Sequence, residues 1–154
     1  MNEFLRTMGL LLALAASGSV QAETSSAEAA GRESLRASEA WIRPAPPAAP
    51  VRAGYVELSN PGKREVVIDA VRSDAFGAIQ IHEMHEVDGV MRMRPVKSLT
   101  LAPGQTRRLE PGGLHLMLFR PISPLAEGDV VEVVFAGPDG DVARAGFTVR
   151  EPAS

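Results

Sequence analysis

Short apolar runs separated by turn-forming residues leave this chain little choice of architecture. Asn60-Pro61-Gly62, Asp88-Gly89, Pro103-Gly104, Pro111-Gly112-Gly113 and Pro138-Asp139-Gly140 break the sequence at close intervals. Glycine, asparagine and aspartate tolerate the positive φ that tight turns need, and proline pre-sets a turn while removing a ladder donor. Between these breaks the pattern alternates with a period of two, as in Tyr55-Val56-Glu57-Leu58. Val66 to Val71 reads as one core strand, and Val130 to Phe135 with Val142 to Val149 as a closing hairpin. Pro44, Pro46, Pro47 and Pro50 forbid regular pairing after Trp41 and imply a long edge loop. With β-branched strands and no convincing amphipathic helix, the chain is expected to form an all-β Greek-key sandwich or barrel.

The 154 residues suffice for one domain with a core and are too few for two comfortable ones. Residues 1–22 read as a secretory signal, with Arg6 at the positive end, an apolar run from Met8 to Ala16, and a cut after Ala22 in Val20-Gln21-Ala22. The run is too short to span a bilayer, which disfavours a retained anchor helix and stable membrane insertion. Residues 23–37, rich in Ala, Ser and Glu, read as a flexible linker, leaving 38–151 as the folded domain. A net charge of −3 without a basic block argues against nucleic acid or anionic lipid as a partner. Cysteine is absent, so disulfides, zinc-thiolate sites and blue-copper ligation are excluded.

All three histidines (His82, His85, His115) and four of the six methionines (Met84, Met91, Met93, Met117) fall between positions 82 and 117. With Asp88-Gly89 at the tip of a hairpin, Val87 pairs with Val90, Glu86 with Met91, and Met84 with Met93. His82, Met84, Met91 and Met93 then share a face, whereas Glu83 and His85 project to the other. In Leu114-His115-Leu116-Met117-Leu118 the leucines want the core, which turns His115 and Met117 together to the opposite side. Burial of Ile79 and Ile81 turns His82 outward by the same logic. Two imidazoles and several thioethers without a thiolate suit Cu(I): thioether is a soft, neutral ligand, and imidazole accepts copper in either oxidation state. Zinc would recruit more nitrogen, thiolate or carboxylate, and calcium or magnesium would want oxygen. Taken singly, each methionine is as well explained as a gap-filler; the set on one face is not.

The spacing His82, ten residues, Met93, twenty-one residues, His115, one residue, Met117 resembles the signature of the periplasmic copper chaperones called PCuAC. The flanking text His82-Glu83-Met84, Gly89-Val90-Met91-Arg92-Met93-Arg94-Pro95 and Pro111-Gly112-Gly113-Leu114-His115-Leu116-Met117 agrees, and the resemblance covers roughly Ala40 to Val149. It implies a cupredoxin-like β-sandwich of immunoglobulin-like topology carrying one Cu(I) per chain near its surface. The implied ligands are His82, Met93, His115 and Met117, with Met84 and Met91 as neighbours or alternative sulfur donors and His85 outside the set. It implies delivery to the CuA centre of cytochrome c oxidase, directly or with a Sco-type thiol protein. Relatives with a His- and Met-rich tail hold a second copper; Arg150-Glu151-Pro152-Ala153-Ser154 has no such residues, so none is expected here.

Three functions are thus set against one another: a periplasmic Cu(I) metallochaperone, a copper-sequestering resistance protein, and a structural β-sandwich with no metal. No nucleophile, acid–base pair or redox cysteine points to an enzyme. The shared face speaks against the third reading, and the residues alone do not separate the first two.

Overall fold

The computed structural model describes residues 34–152 and contains strands and no helix among them. The signal segment 1–22 and most of the linker lie outside the described residues. The strands are β1 (Arg36–Ile42), β2 (Val51–Ser59), β3 (Val66–Ile68), β4 (Ala70–Arg72), β5 (Phe76–Val87), β6 (Val90–Val96), β7 (Leu99–Leu101), β8 (Thr106–Leu109), β9 (Leu114–Pro121), β10 (Val130–Gly137) and β11 (Gly140–Val149). β1 starts inside the segment read as linker, and Leu35 before it is buried in the core. No helix of the described residues is long and apolar enough to cross a membrane.

One large sheet runs β4-β10-β11-β1-β2-β9-β5-β6, with β8 added beside β2, and β3 and β7 pair separately. β1 and β11 run parallel, β2 and β9 antiparallel, and β9 lies antiparallel to β5. These neighbours are distant in sequence, as Greek-key connections require. β2 serves two partners in turn on one edge: Val51 to Gly54 pair with β9, and Val56 to Ser59 with β8. The large sheet stays open, ending at β4 and β6, so the architecture is a sandwich and not a barrel.

The core explains the curl. Ile42 and Leu58 from β1 and β2, Leu116 and Leu118 from β9, and Phe135 and Phe147 from β10 and β11 are all fully buried in one cluster. Side chains alternate across a strand, so one continuous sheet can place these residues around a common interior only by folding over itself. Ile68 and Leu101 of the small sheet close the remaining side of that cluster.

The run from Val66 to Val71 is not one strand. It breaks at Asp69, with Val66 to Ile68 pairing with β7 and Ala70 to Arg72 with β10. The Asp69 N–H donates to the Ala136 carbonyl at 3.0 Å, so the chain crosses between the two sheets without an orphaned donor at this step. Gly137 permits the crossing, because a Cβ there would collide with the Val67 carbonyl.

Asn60, 1% exposed, holds the turn after β2. Its Nδ2 donates to the Leu101 and Arg64 carbonyls at 3.0 and 2.8 Å, and its Oδ1 accepts from the Gly62 N–H at 2.9 Å. Aspartate has the same shape and neither donor, leaving the buried Leu101 carbonyl unpaired. We expect Asn60→Asp to lower the unfolding free energy by about 2 kcal/mol, measured as a lower urea midpoint at unchanged slope.

Candidate metal centre

Asp88 and Gly89 have φ of 52° and 77°, the two positive values of the tight turn that matches strand twist. The hairpin they close has the register read from the sequence: Val87 opposite Val90, Glu86 opposite Met91, and Met84 opposite Met93. The ladder continues with Glu83 opposite Arg94 and His82 opposite Pro95. On its other side β5 pairs with β9, which sets His82 opposite His115 and Gln80 opposite Met117.

Parity therefore collects Gln80, His82, Met84, Glu86, Met91, Met93, His115 and Met117 on one face of three adjacent strands, with β5 in the middle and Glu86 exposed near the hairpin tip. Ile79 and Ile81 on β5 and Leu116 and Leu118 on β9 are buried on the opposite side, which fixes the direction of every intervening residue. The His82 and His115 rings have centroids 6.1 Å apart at 49°. Met117 sits one step along β9 from His115, and Met93 is the diagonal neighbour of His82 across β6, within reach of a long side chain. All four residues of the resemblance's ligand set are thus gathered on this face. His85 and Glu83 occupy the other face, as parity requires. There Glu83 accepts two hydrogen bonds from the Arg94 guanidinium, at 3.1 and 2.7 Å, which hold its carboxyl below the usual carboxylate range.

The face is graded in exposure. His115 is 6% exposed, whereas Met93 and Met91 are 48% and 51% exposed at the hairpin. The same side of the sheet continues onto β2 and β1, where Tyr55 and Trp41 pair with ring centroids 4.4 Å apart and are both buried. Trp41 carries the Arg150 guanidinium 5.6 Å over its ring, so it is an anchor of the fold. His115, turned away from the leucine layer, is itself buried and not a surface histidine, which alternation alone could not reveal.

Hydrogen bonds orient both imidazoles. His115 Nδ1 lies 3.0 Å from the Gly113 carbonyl, which also accepts the Met84 N–H at 3.2 Å. A carbonyl only accepts, so His115 carries its proton on Nδ1 and keeps Nε2 as a lone-pair donor. His82 Nε2 lies 3.0 Å from Gln80 Oε1, while its Nδ1 is buried without a partner. Burial lowers the His82 pKa below its ordinary 6.5, with a smaller contribution from the neighbouring His115. Gln80 and the Gly113 carbonyl escaped the motif reading, although Gln80 stands two residues before His82 on the same face.

Among the described residues no three His, Asp or Glu side chains gather closely enough to hold a metal ion. What this face does bring together is two imidazoles with several thioethers, a combination that suits a soft monovalent ion.

The model of the family described as "Putative lipoprotein LpqE-like" matches residues 35–149. The chain belongs to this family, which is the PCuAC family. A relative described as "Putative lipoprotein Lxx21020", from Leifsonia xyli subsp. xyli (strain CTCB07), is 27% identical over 129 residues, covering 82% of this chain and 76% of its own. The copper-bound PCuAC domain from PmoF2 superposes with a TM-score of 0.61 at 18% identity, covering 77% of this chain and 94% of that domain. CuI-DR1885 from Deinococcus radiodurans superposes at 0.53 and 21% identity, covering 81% of this chain and 85% of that one. The fold of this PCuAC family member is therefore the cupredoxin-like sandwich that the sequence resemblance implied.

The lowered His82 pKa has a defined sign. The folded chain holds His82 neutral where the unfolded chain protonates it, so the stabilising difference is present above about 6.5 and is lost as pH falls below it. We expect the His82 ring to titrate below 6.5 by NMR, and His115→Gln to restore only part of the shift, because burial is its larger cause.

Proposed function

We propose that this chain is an exported Cu(I) carrier that binds one ion through His82, Met93, His115 and Met117 and passes it to the CuA centre of cytochrome c oxidase. The observation that carries the proposal is the convergence of two imidazoles and several thioethers on one sheet face, without thiolate and without a carboxylate cluster. The copper-bound domain from PmoF2 and CuI-DR1885 support the metal, and the lipoprotein description of the family and of its Leifsonia relative supports export.

Neutral sulfur ligands suit carriage. They stabilise Cu(I) through soft bonding without the charge of a thiolate, so a thiolate-bearing acceptor can outcompete them. Binding and exchange need no acid–base catalyst, and we assign the chain no enzymatic step. The half-exposed Met93 favours delivery over storage: an acceptor can approach the sulfur at the hairpin while the buried His115 still holds the ion from below. A Sco-type thiol protein is a second acceptor of suitable chemistry. Met84 and Met91 share the face and offer the ion intermediate sulfur positions during transfer.

Replacing Met93 or His115 by alanine is expected to weaken Cu(I) binding by one to two orders of magnitude, about 1.4–2.8 kcal/mol, in competition with a Cu(I) chelator. Met84→Leu should cost far less, and an equal loss in all three would contradict the ligand set. The contribution of His82 to affinity should also be lost on acidification, below 6.5 because its pKa is lowered and its neutral form persists to lower pH. Delivery is tested by mixing Cu(I)-loaded protein with an apo CuA domain and following the purple-centre absorbance after oxidation. Retention of the ion by the donor would instead assign sequestration.

A further inference from the structure

Each imidazole offers a metal one nitrogen, and which nitrogen it offers depends on where the other is tied. At His115 the tie is a backbone carbonyl, so Nδ1 carries the proton and Nε2 is left for the ion. At His82 the tie is a side chain. Gln80 occupies the same face of β5 two residues earlier, directly opposite Met117 on β9. Its Oε1 lies 3.0 Å from His82 Nε2, and His82 Nδ1 is buried with no hydrogen-bond partner.

Two assignments satisfy that distance. If the Gln80 amide nitrogen donated to Nε2, the ring proton would sit on Nδ1 as a buried donor with no acceptor. If the Gln80 oxygen accepts from Nε2–H, the buried Nδ1 carries only a lone pair, the group a metal ion satisfies. The second leaves no orphaned donor.

We propose that Gln80 is a positioning residue that locks His82 as the Nε2–H tautomer, so that the ion is held by Nδ1 of His82 and Nε2 of His115. This rests on the copper reading above and assigns within it a residue and two atoms. The opposite tautomers follow from the geometry. His82 and His115 face each other across adjacent strands, and each ring turns a different edge to its anchor. An amide can do this without adding charge, whereas a carboxylate at position 80 would stabilise the imidazolium, so that protons compete more strongly with the ion for Nδ1 as pH falls. Because Gln80 is exposed on the sheet surface, its replacement does not disturb the core.

The test is long-range 1H–15N NMR of the histidine rings in the wild type, Gln80→Leu and Gln80→Glu, before and after one equivalent of Cu(I), with chelator competition alongside. In the wild-type apo protein His82 should show a protonated Nε2 and an unprotonated Nδ1, and Cu(I) should shift Nδ1 of His82 and Nε2 of His115. Gln80→Leu should relax His82 towards a mixture of tautomers and weaken Cu(I) binding about tenfold. Gln80→Glu should restore the Nε2–H tautomer, with affinity more sensitive to acid. A proton on Nδ1 in the apo wild type, a copper-induced shift at Nε2 of His82, or a Gln80→Leu variant with unchanged tautomer and affinity each overturns the proposal while leaving the carrier function standing. Failure of copper to shift either histidine overturns the carrier function itself, and the role of Gln80 with it.

Discussion

The alternation of side chains across three neighbouring strands is the constraint on which the rest of this structure depends. Ile79, Ile81, Leu116 and Leu118 are buried within one core, and their burial is worth about 1.5–3 kcal/mol per side chain. A one-residue slip of β5 against β9 would turn Ile79 and Ile81 out of the core together, and a slip of β9 would do the same to Leu116 and Leu118, so the register is among the best-determined features of the fold. His82, His115 and Met117 occupy the positions between them. The face that gathers the soft donors is thus specified by the hydrophobic energy of the face that contains none.

That division also separates the electrostatics. The ion pair between Glu83 and Arg94 and the imidazole of His85 lie on the side of the hairpin away from the thioethers. A carboxylate among the sulfurs would raise the affinity for harder divalent ions, and a guanidinium would repel any cation. Alternation sends the Glu83–Arg94 pair elsewhere and leaves the exposed Glu86, opposite Met91 near the hairpin tip, as the carboxylate beside the thioethers, so the ligand set proposed above is itself neutral and would discriminate by softness. The exposed ion pair contributes little to stability, so its consequence is mainly where its charges are not.

Much of this was legible in the residues because period-two alternation and turn chemistry are local signals. Asp88-Gly89 set the hairpin register to the residue, and the leucines of Leu114-His115-Leu116-Met117-Leu118 declared which way His115 and Met117 turn. Elements that depend on tertiary context were not legible. Val66 to Val71 reads as one strand because nothing in its apolar pattern marks Asp69 as a crossing point; the crossing depends on the Ala136 carbonyl and on Gly137, both far away in sequence. Leu35 and the first residues of β1 resembled a tether because their neighbours before them are small and polar. The burial of His115 was hidden for a third reason: alternation says which face a residue occupies, not whether that face is covered.

The gradient from buried His115 to exposed Met93 gives the proposed site a direction. In the proposed site His115 would exchange slowly, since its strand lies between β5 and β2 and its ring is tied to the Gly113 carbonyl. Methionines on an edge strand have a flexible side chain and an unpaired strand edge beside them, so their sulfurs can follow an ion outward at low cost. Under the proposed carrier function, a nitrogen floor held by paired strands beneath a sulfur rim on the edge strand would let an incoming acceptor replace ligands one at a time, without the sandwich opening. The open edge at β6 could invite pairing with other chains, yet Pro95 removes one donor from it and Arg92 and Arg94 add charge. The same strand can therefore present its thioethers to an acceptor while resisting the addition of a further strand.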